Sequence, residues 1–196
     1  RQMCIRDRSH TVAFGEFRMS NILSSRMKIT EFNKMCQYLW IVSKNVNYVR
    51  MYDPFNGTPL NQAIIAAVDI VNEFRQKNKL EIVNTIILTD GASDGCYVSG
   101  GTSGRSNIVI RDPKTKLSYS TSKYPGHYGM TGIFLDILKD KTGCNLVGFY
   151  LYEHDMLAHL QFLIGNDASD PKAQAHYIEH GFVASSASGY DEYYIM

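Results

Sequence analysis

The chain has 196 residues, 44% of them apolar and 12% aromatic, with 20 Lys+Arg against 19 Asp+Glu and a formal net charge of +1. That is enough apolar material for one globular domain. It contains no run near the ~18 consecutive apolar residues of a membrane-spanning helix and no basic field of the kind that drives nucleic-acid backbone binding. The four cysteines, Cys4, Cys36, Cys96 and Cys144, show neither CxxC pairing nor a disulfide-framework spacing, which points to a reducing, cytoplasmic setting.

Arg1 to Arg8 has neither the long apolar stretch of a signal peptide nor the alternation of a strand. It resembles translated sequencing-adapter read-through, so residues 1–8 are set aside as a non-native leader. That leader holds three Arg and one Asp, which leaves Ser9 to Met196 with a net charge of −1.

His10 to Phe17 is short, β-branched and aromatic, as a strand should be. Thr30 offers an N-cap for a helix reaching about Lys44, with Phe32, Met35, Leu39 and Val42 on one stripe. Asn47 to Tyr52 reads as a short strand, followed by the turn chemistry of Asp53-Pro54-Phe55-Asn56-Gly57. Thr58 as N-cap and Pro59 as first helical residue open a second helix to about Lys77, with Leu60, Ile64, Ala67, Val71 and Phe74 in one apolar row. Ile82 to Thr89, with Ile86-Ile87-Leu88 unbroken, is expected as a central strand covered on both faces, ending at Asp90-Gly91. Residues 92–129 shift to Gly, Ser, Thr and Tyr and read as an insertion with a hairpin pairing Asn107–Arg111 with Leu117–Ser120. Thr131 to Lys141 is a helix stopped by Gly143, and Asn145 to Tyr152 a nearly continuous apolar strand. Helices are expected over Glu153–Ile164 and Pro171–His180, before an apolar, strand-like run from Tyr190 to Met196.

In open α/β sheets, ligand sites form outside the carboxyl ends of strands, where Thr58 and Asp90 stand. A threonine hydroxyl at a helix start and an aspartate at a strand end are hard oxygen donors suited to Mg²⁺. The competing reading gives them local work only: Thr58 caps its helix, and Asp90 makes an Asp-Gly turn.

Gly57-Thr58-Pro59-Leu60 leading into an amphipathic helix, then a strand ending Leu88-Thr89-Asp90-Gly91, resembles the second and third loops of a von Willebrand factor A (VWA) domain. The resemblance implies a Rossmann-like, mostly parallel α/β sheet with helices on both faces, incomplete at its N-terminus. It implies a metal-ion-dependent adhesion site in which Thr58 and Asp90 hold Mg²⁺ or Mn²⁺, the family's first-loop Asp-x-Ser-x-Ser lying upstream of this sequence. It also implies that the absent first strand would sit centrally, beside His10–Phe17 and Ile82–Thr89, leaving two apolar strand edges unpaired. The insertion most resembles VWA proteins of tailed phages, related to cobalt-chelatase subunits and encoded with MoxR-like AAA+ ATPases. The expected protein is therefore a non-enzymatic interaction module in host cytoplasm, capturing an acidic partner, with neither nucleic acid nor membrane as a partner. Its expected organisation is a VWA-like domain over 9–152, with the insertion at about 92–129, and a C-terminal helical extension over 153–196.

Other motifs compete. His176-Tyr177-Ile178-Glu179-His180 matches the inverted zinc-protease order H-x-x-E-H, making a zinc metallopeptidase with His176, Glu179 and His180 the enzymatic alternative, though no third ligand is evident. A structural phage component without metal dependence is the other alternative. Gly91-Ala92-Ser93-Asp94-Gly95 matches a nucleophile elbow but is not followed by a helical pattern, and Gly100 to Ser106 lacks the Lys of a phosphate loop. His154 and His159 are badly spaced for chelation on a helix. Trp40, Cys36 and Cys144 read as core, and the 13 tyrosines as cover for half-buried surface.

Overall fold

A computed structural model describes residues 12–13, 17–44, 57–93, 97–98, 108–124, 129–151, 171–185 and 189–196. The strand expected at Asn47–Tyr52, the helix at Glu153–Ile164, the Gly100–Ser106 loop, His154 and His159 lie outside them. The chain divides into two compact units, Glu16–Gly57 and the remainder.

The first unit carries one helix, α1 (Ile29–Lys44), in which no residue is buried. Trp40 is 65% exposed, with the Lys44 ammonium 4.8 Å above its ring, and Cys36 is exposed. The core role expected for these two residues is therefore corrected: among the described residues of this unit α1 is the one helix, and it buries none of its side chains.

The larger unit runs β1 (Val12–Ala13), α2 (Leu60–Asn78), β2 (Asn84–Thr89), β3 (Tyr97–Val98), β4 (Val109–Arg111), β5 (Ser118–Ser120), α3 (Gly129–Thr142), β6 (Asn145–Tyr150), α4 (Pro171–His180), β7 (Val183–Ser185) and β8 (Glu192–Ile195). Four strands form one sheet in the order β2-β6-β8-β7. β2, β6 and β8 are parallel, and β7 closes the edge antiparallel to β8. The protein is thus mixed α/β with a mostly parallel sheet. β1 pairs instead with β3 in a separate antiparallel ribbon.

Beyond α4, β7 and β8 join the main sheet, where Ile195 is fully buried, and β8 forms within the strand-like run expected at Tyr190–Met196. The local sequence shows the strand; its place beside β6 is a long-range pairing.

Alternation along the strands sorts side chains onto two faces. Leu146, Tyr150, Tyr193, Ile195 and Val183 belong to the core cluster, together with Ile64 and Val71 of α2 and Ile133, Leu135 and Leu138 of α3, and half-buried Ile87 packs against it. Ala173 and Tyr177 of α4 pack against the same cluster. The described helices of this unit therefore gather on one face. On the other face Ile86 and Leu88 are 60% and 63% exposed, and Phe149 stacks on Tyr194 at 5.4 Å. The double cover expected for β2 is not found among the described residues: β2 ends the sheet, paired only with β6.

The end of α3 follows its sequence signal, whereas the expected N-cap Thr30 lies inside α1, which starts at Ile29 with Glu31 accepting the Lys28 N–H at 3.3 Å. Gly143 (φ 60°) stops α3, its N–H donating to Lys139 O at 2.7 Å, and the Arg75 guanidinium donates to the Thr142 and Gly143 carbonyls. One side chain of α2 thereby satisfies orphan carbonyls of α3. The β4–β5 hairpin forms as expected and is fastened to α3: Lys141 pairs with Asp112 at 2.9 Å, and Tyr119 donates to Asp140 at 3.0 Å.

Five tyrosines, Tyr119, Tyr124, Tyr150, Tyr190 and Tyr193, are buried, which corrects their expected half-buried role. Phenols can enter a core when the hydroxyl finds a partner, as Tyr124 does at Asp136, 2.7 Å away. Burial, reinforced by Asp140, pushes the Tyr119 hydroxyl up to about 12. Gly148 makes room for two of the rings: a Cβ there would lie 2.7 Å from Tyr193 and 2.8 Å from Tyr190, which stack at 5.0 Å.

Candidate functional site at the carboxyl end of β2

β2 ends at Thr89, and the chain turns through Asp90 and Gly91 beside the start of α2. The turn is held by Thr89, whose hydroxyl donates to Gly91 O at 2.7 Å and accepts from Gly91 N at 3.2 Å. Asp90 is exposed, and no hydrogen bond among the described residues uses its carboxylate. The turn-making role considered for Asp90 is filled by its neighbour.

Thr58 shows the same pattern. α2 begins at Leu60, one residue later than expected, with Pro59 at the N-cap position and no side-chain cap from it. The cap comes from 32 residues away, where Ser93 Oγ accepts the Asn61 N–H at 3.0 Å. Expecting Thr58 to cap the helix is therefore corrected. The Leu60 N–H reaches the Thr58 carbonyl at 2.7 Å, while no hydrogen bond among the described residues engages the Thr58 hydroxyl.

That hydroxyl is packed against the β2 turn. A Cβ built on Gly91 would lie 2.7 Å from Thr58 Oγ1, closer than real contacts allow, so the approach of the two loops depends on glycine at this position. The fold thus places Thr58 against the residue that follows Asp90. Behind them, Leu60, Thr89, Gly91, Ser93, Tyr150 and Tyr193 line a crevice with about 20 Å³ of free space, room for a water molecule. Its floor is tied by Thr131, which donates to Asn61 Oδ1 at 2.9 Å between buried side chains.

Chemically, the arrangement offers one carboxylate and one hydroxyl, both hard oxygen donors. Mg²⁺ is commonly held by one or two protein groups with water completing the octahedron, so the pair fits as part of a donor set. No cluster of three or more His, Cys, Asp or Glu suited to a metal occurs among the described residues.

Ser93 is the contact that sequence reasoning missed. Its motif matches a nucleophile elbow without the helix an elbow needs, and the chain beyond it does enter the strand β3; its hydroxyl instead caps α2. No local signal points to that role, because the helix Ser93 caps begins far earlier in the chain.

The H-x-x-E-H motif does lie on a helix. His176 and His180 have ring centres 4.4 Å apart, His176 Nδ1 meets Phe182 O at 3.0 Å, and His180 Nε2 is 3.7 Å from Glu179 Oε2. No third ligand joins them among the described residues, so the three-ligand centre of a zinc peptidase is not assembled there.

Fold and site define a mixed α/β domain with a crevice at the carboxyl edge of a mostly parallel sheet. No family model, no curated protein and no solved structure matches the chain. No helix among the described residues is long and apolar enough to cross a membrane.

Proposed function

We propose that this chain is part of a VWA-type interaction domain that captures an acidic side chain of a protein partner through Mg²⁺ or Mn²⁺. The observation that carries this reading is the release of Thr58 and Asp90 from local duties. Ser93 caps α2 and Thr89 holds the turn, while Gly91 lets Thr58 pack against the residue that follows Asp90. Two polar groups on neighbouring loops at a sheet's carboxyl edge, neither engaged in a hydrogen bond among the described residues, suit a ligand that supplies positive charge.

Asp90 would contribute the anionic oxygen and Thr58 the neutral one, both from backbone segments braced by the sheet and by α2. A bound divalent ion would be the largest local charge and would hold a partner carboxylate more strongly than a surface ion pair does. The chain's own residues position; they transfer no proton and form no bond. By the family resemblance, the partner is a MoxR-like AAA+ ATPase or its substrate, in the cytoplasm of a phage-infected host.

Titration of the intact protein with Mn²⁺ and an acidic partner peptide tests this. Binding should require the ion, disappear in EDTA, and weaken at least about tenfold in Asp90→Ala, about 1.4 kcal/mol. Partner binding that survives both EDTA and Asp90→Ala refutes the proposal.

A further inference from the structure

The pair His176 and His180 is absorbed by neither the sheet-edge site nor a peptidase centre. The two residues are one turn apart on α4, both exposed, with ring centres 4.4 Å apart. Two imidazoles bound to one ion, with metal–nitrogen distances of about 2.0–2.1 Å, bring their ring centres to roughly 4.5–5 Å. The rings already stand near that separation.

Their orientation is also supported. Gly181, with φ 76°, turns the chain back so that Phe182 O sits 3.0 Å from His176 Nδ1. A carbonyl can only accept, so Nδ1 carries the proton and Nε2 keeps the lone pair. This is the second contact that metal-ligating histidines commonly make, a bond from the other ring nitrogen to a carbonyl. The Phe182 ring meets His176 edge-on at 4.9 Å and restrains it further. Glu179 places a carboxylate 3.7 Å from His180 Nε2, adding negative charge beside the pair.

We infer that His176 and His180 form a two-imidazole site for a late divalent transition-metal ion, Cu²⁺, Ni²⁺ or Zn²⁺, with water filling the other positions. Imidazole suits these ions and not Mg²⁺, so the site is chemically separate from Thr58 and Asp90.

The test is calorimetric titration of the untagged full chain with CuCl₂ and with ZnCl₂, in excess Mg²⁺. A saturable one-to-one event is expected, weakened about tenfold or more in His176→Ala and in His180→Ala. It should weaken as pH falls, because protons compete for the imidazoles. Asp90→Ala should bind Cu²⁺ as the parent does, so failure here is distinguishable from failure of the Mg²⁺ reading. Circular dichroism of the variants confirms that α4 persists. Undiminished affinity in both histidine variants, or no saturable event in the parent, overturns the inference.

Discussion

Replacing Ser93 and Thr58 separately by alanine distinguishes a helix cap from a candidate ligand. Ser93 Oγ accepts the Asn61 N–H at 3.0 Å, and Asn61 is only 3% exposed, so water cannot easily replace the lost acceptor. Losing an N-cap costs about 0.5–2 kcal/mol, and an orphaned buried donor places Ser93→Ala in the upper half, about 1–2 kcal/mol. For a chain of this size that corresponds to a Tm decrease of about 2–8 °C. Thr58→Ala removes a hydroxyl that no hydrogen bond among the described residues engages, so it should stay within about 0.5 kcal/mol. Thermal unfolding followed by circular dichroism, in EDTA so that no metal contributes to stability, reads both effects. If Thr58→Ala lowers Tm as much as Ser93→Ala, Thr58 is the working cap and its availability to a ligand is refuted.

Two further expectations concern the core and the hairpin. Gly148→Ala would push a methyl against the buried Tyr190 and Tyr193 rings and should cost about 1–3 kcal/mol in urea unfolding; an unchanged midpoint would show that the rings are not packed across Gly148. The Lys141 ammonium, with the Lys114 N–H and the Thr115 hydroxyl, holds the Asp112 carboxyl well below its usual range. The folded state then binds fewer protons than the unfolded one, so Asp112 contributes stability above about pH 4 that is lost as the solution is acidified further. Asp112→Asn should flatten that acid-limb slope, and an identical slope in parent and variant would contradict the assignment.

Much of the fold was legible locally. The helices at 29–44, 60–78, 129–142 and 171–180 follow apolar spacings of three and four with Gly or basic residues at their ends, and those signals act within a few residues of chain. The β4–β5 hairpin was legible for the same reason: Asp112-Pro113 and the turn after it encode a reversal over five residues. Thr58 and Asp90 were recognisable as oxygen donors at element ends, and that much depends only on residue type and on where strand and helix patterns stop.

What tertiary structure decided were contacts between residues far apart in sequence. The burial of five tyrosines depends on which carboxylates and glycines lie opposite them, as Asp140 lies opposite Tyr119 and Gly148 opposite Tyr193. The exposure of Trp40 could not be read from the apolar stripe of its own helix, because burial depends on what packs against that stripe. The place of β8 beside β6 is a pairing across more than forty residues, between Val147 and Glu192 and onward. At the site, the cap expected of Thr58 is made by a distant contact, Ser93 on Asn61, and the turn expected of Asp90 is held by Thr89, so that among the described residues neither side chain is engaged in a hydrogen bond. Sequence specified the donors because chemistry belongs to residues; only the folded chain specified their availability, because a hydrogen bond already made elsewhere in three dimensions removes the local demand on them.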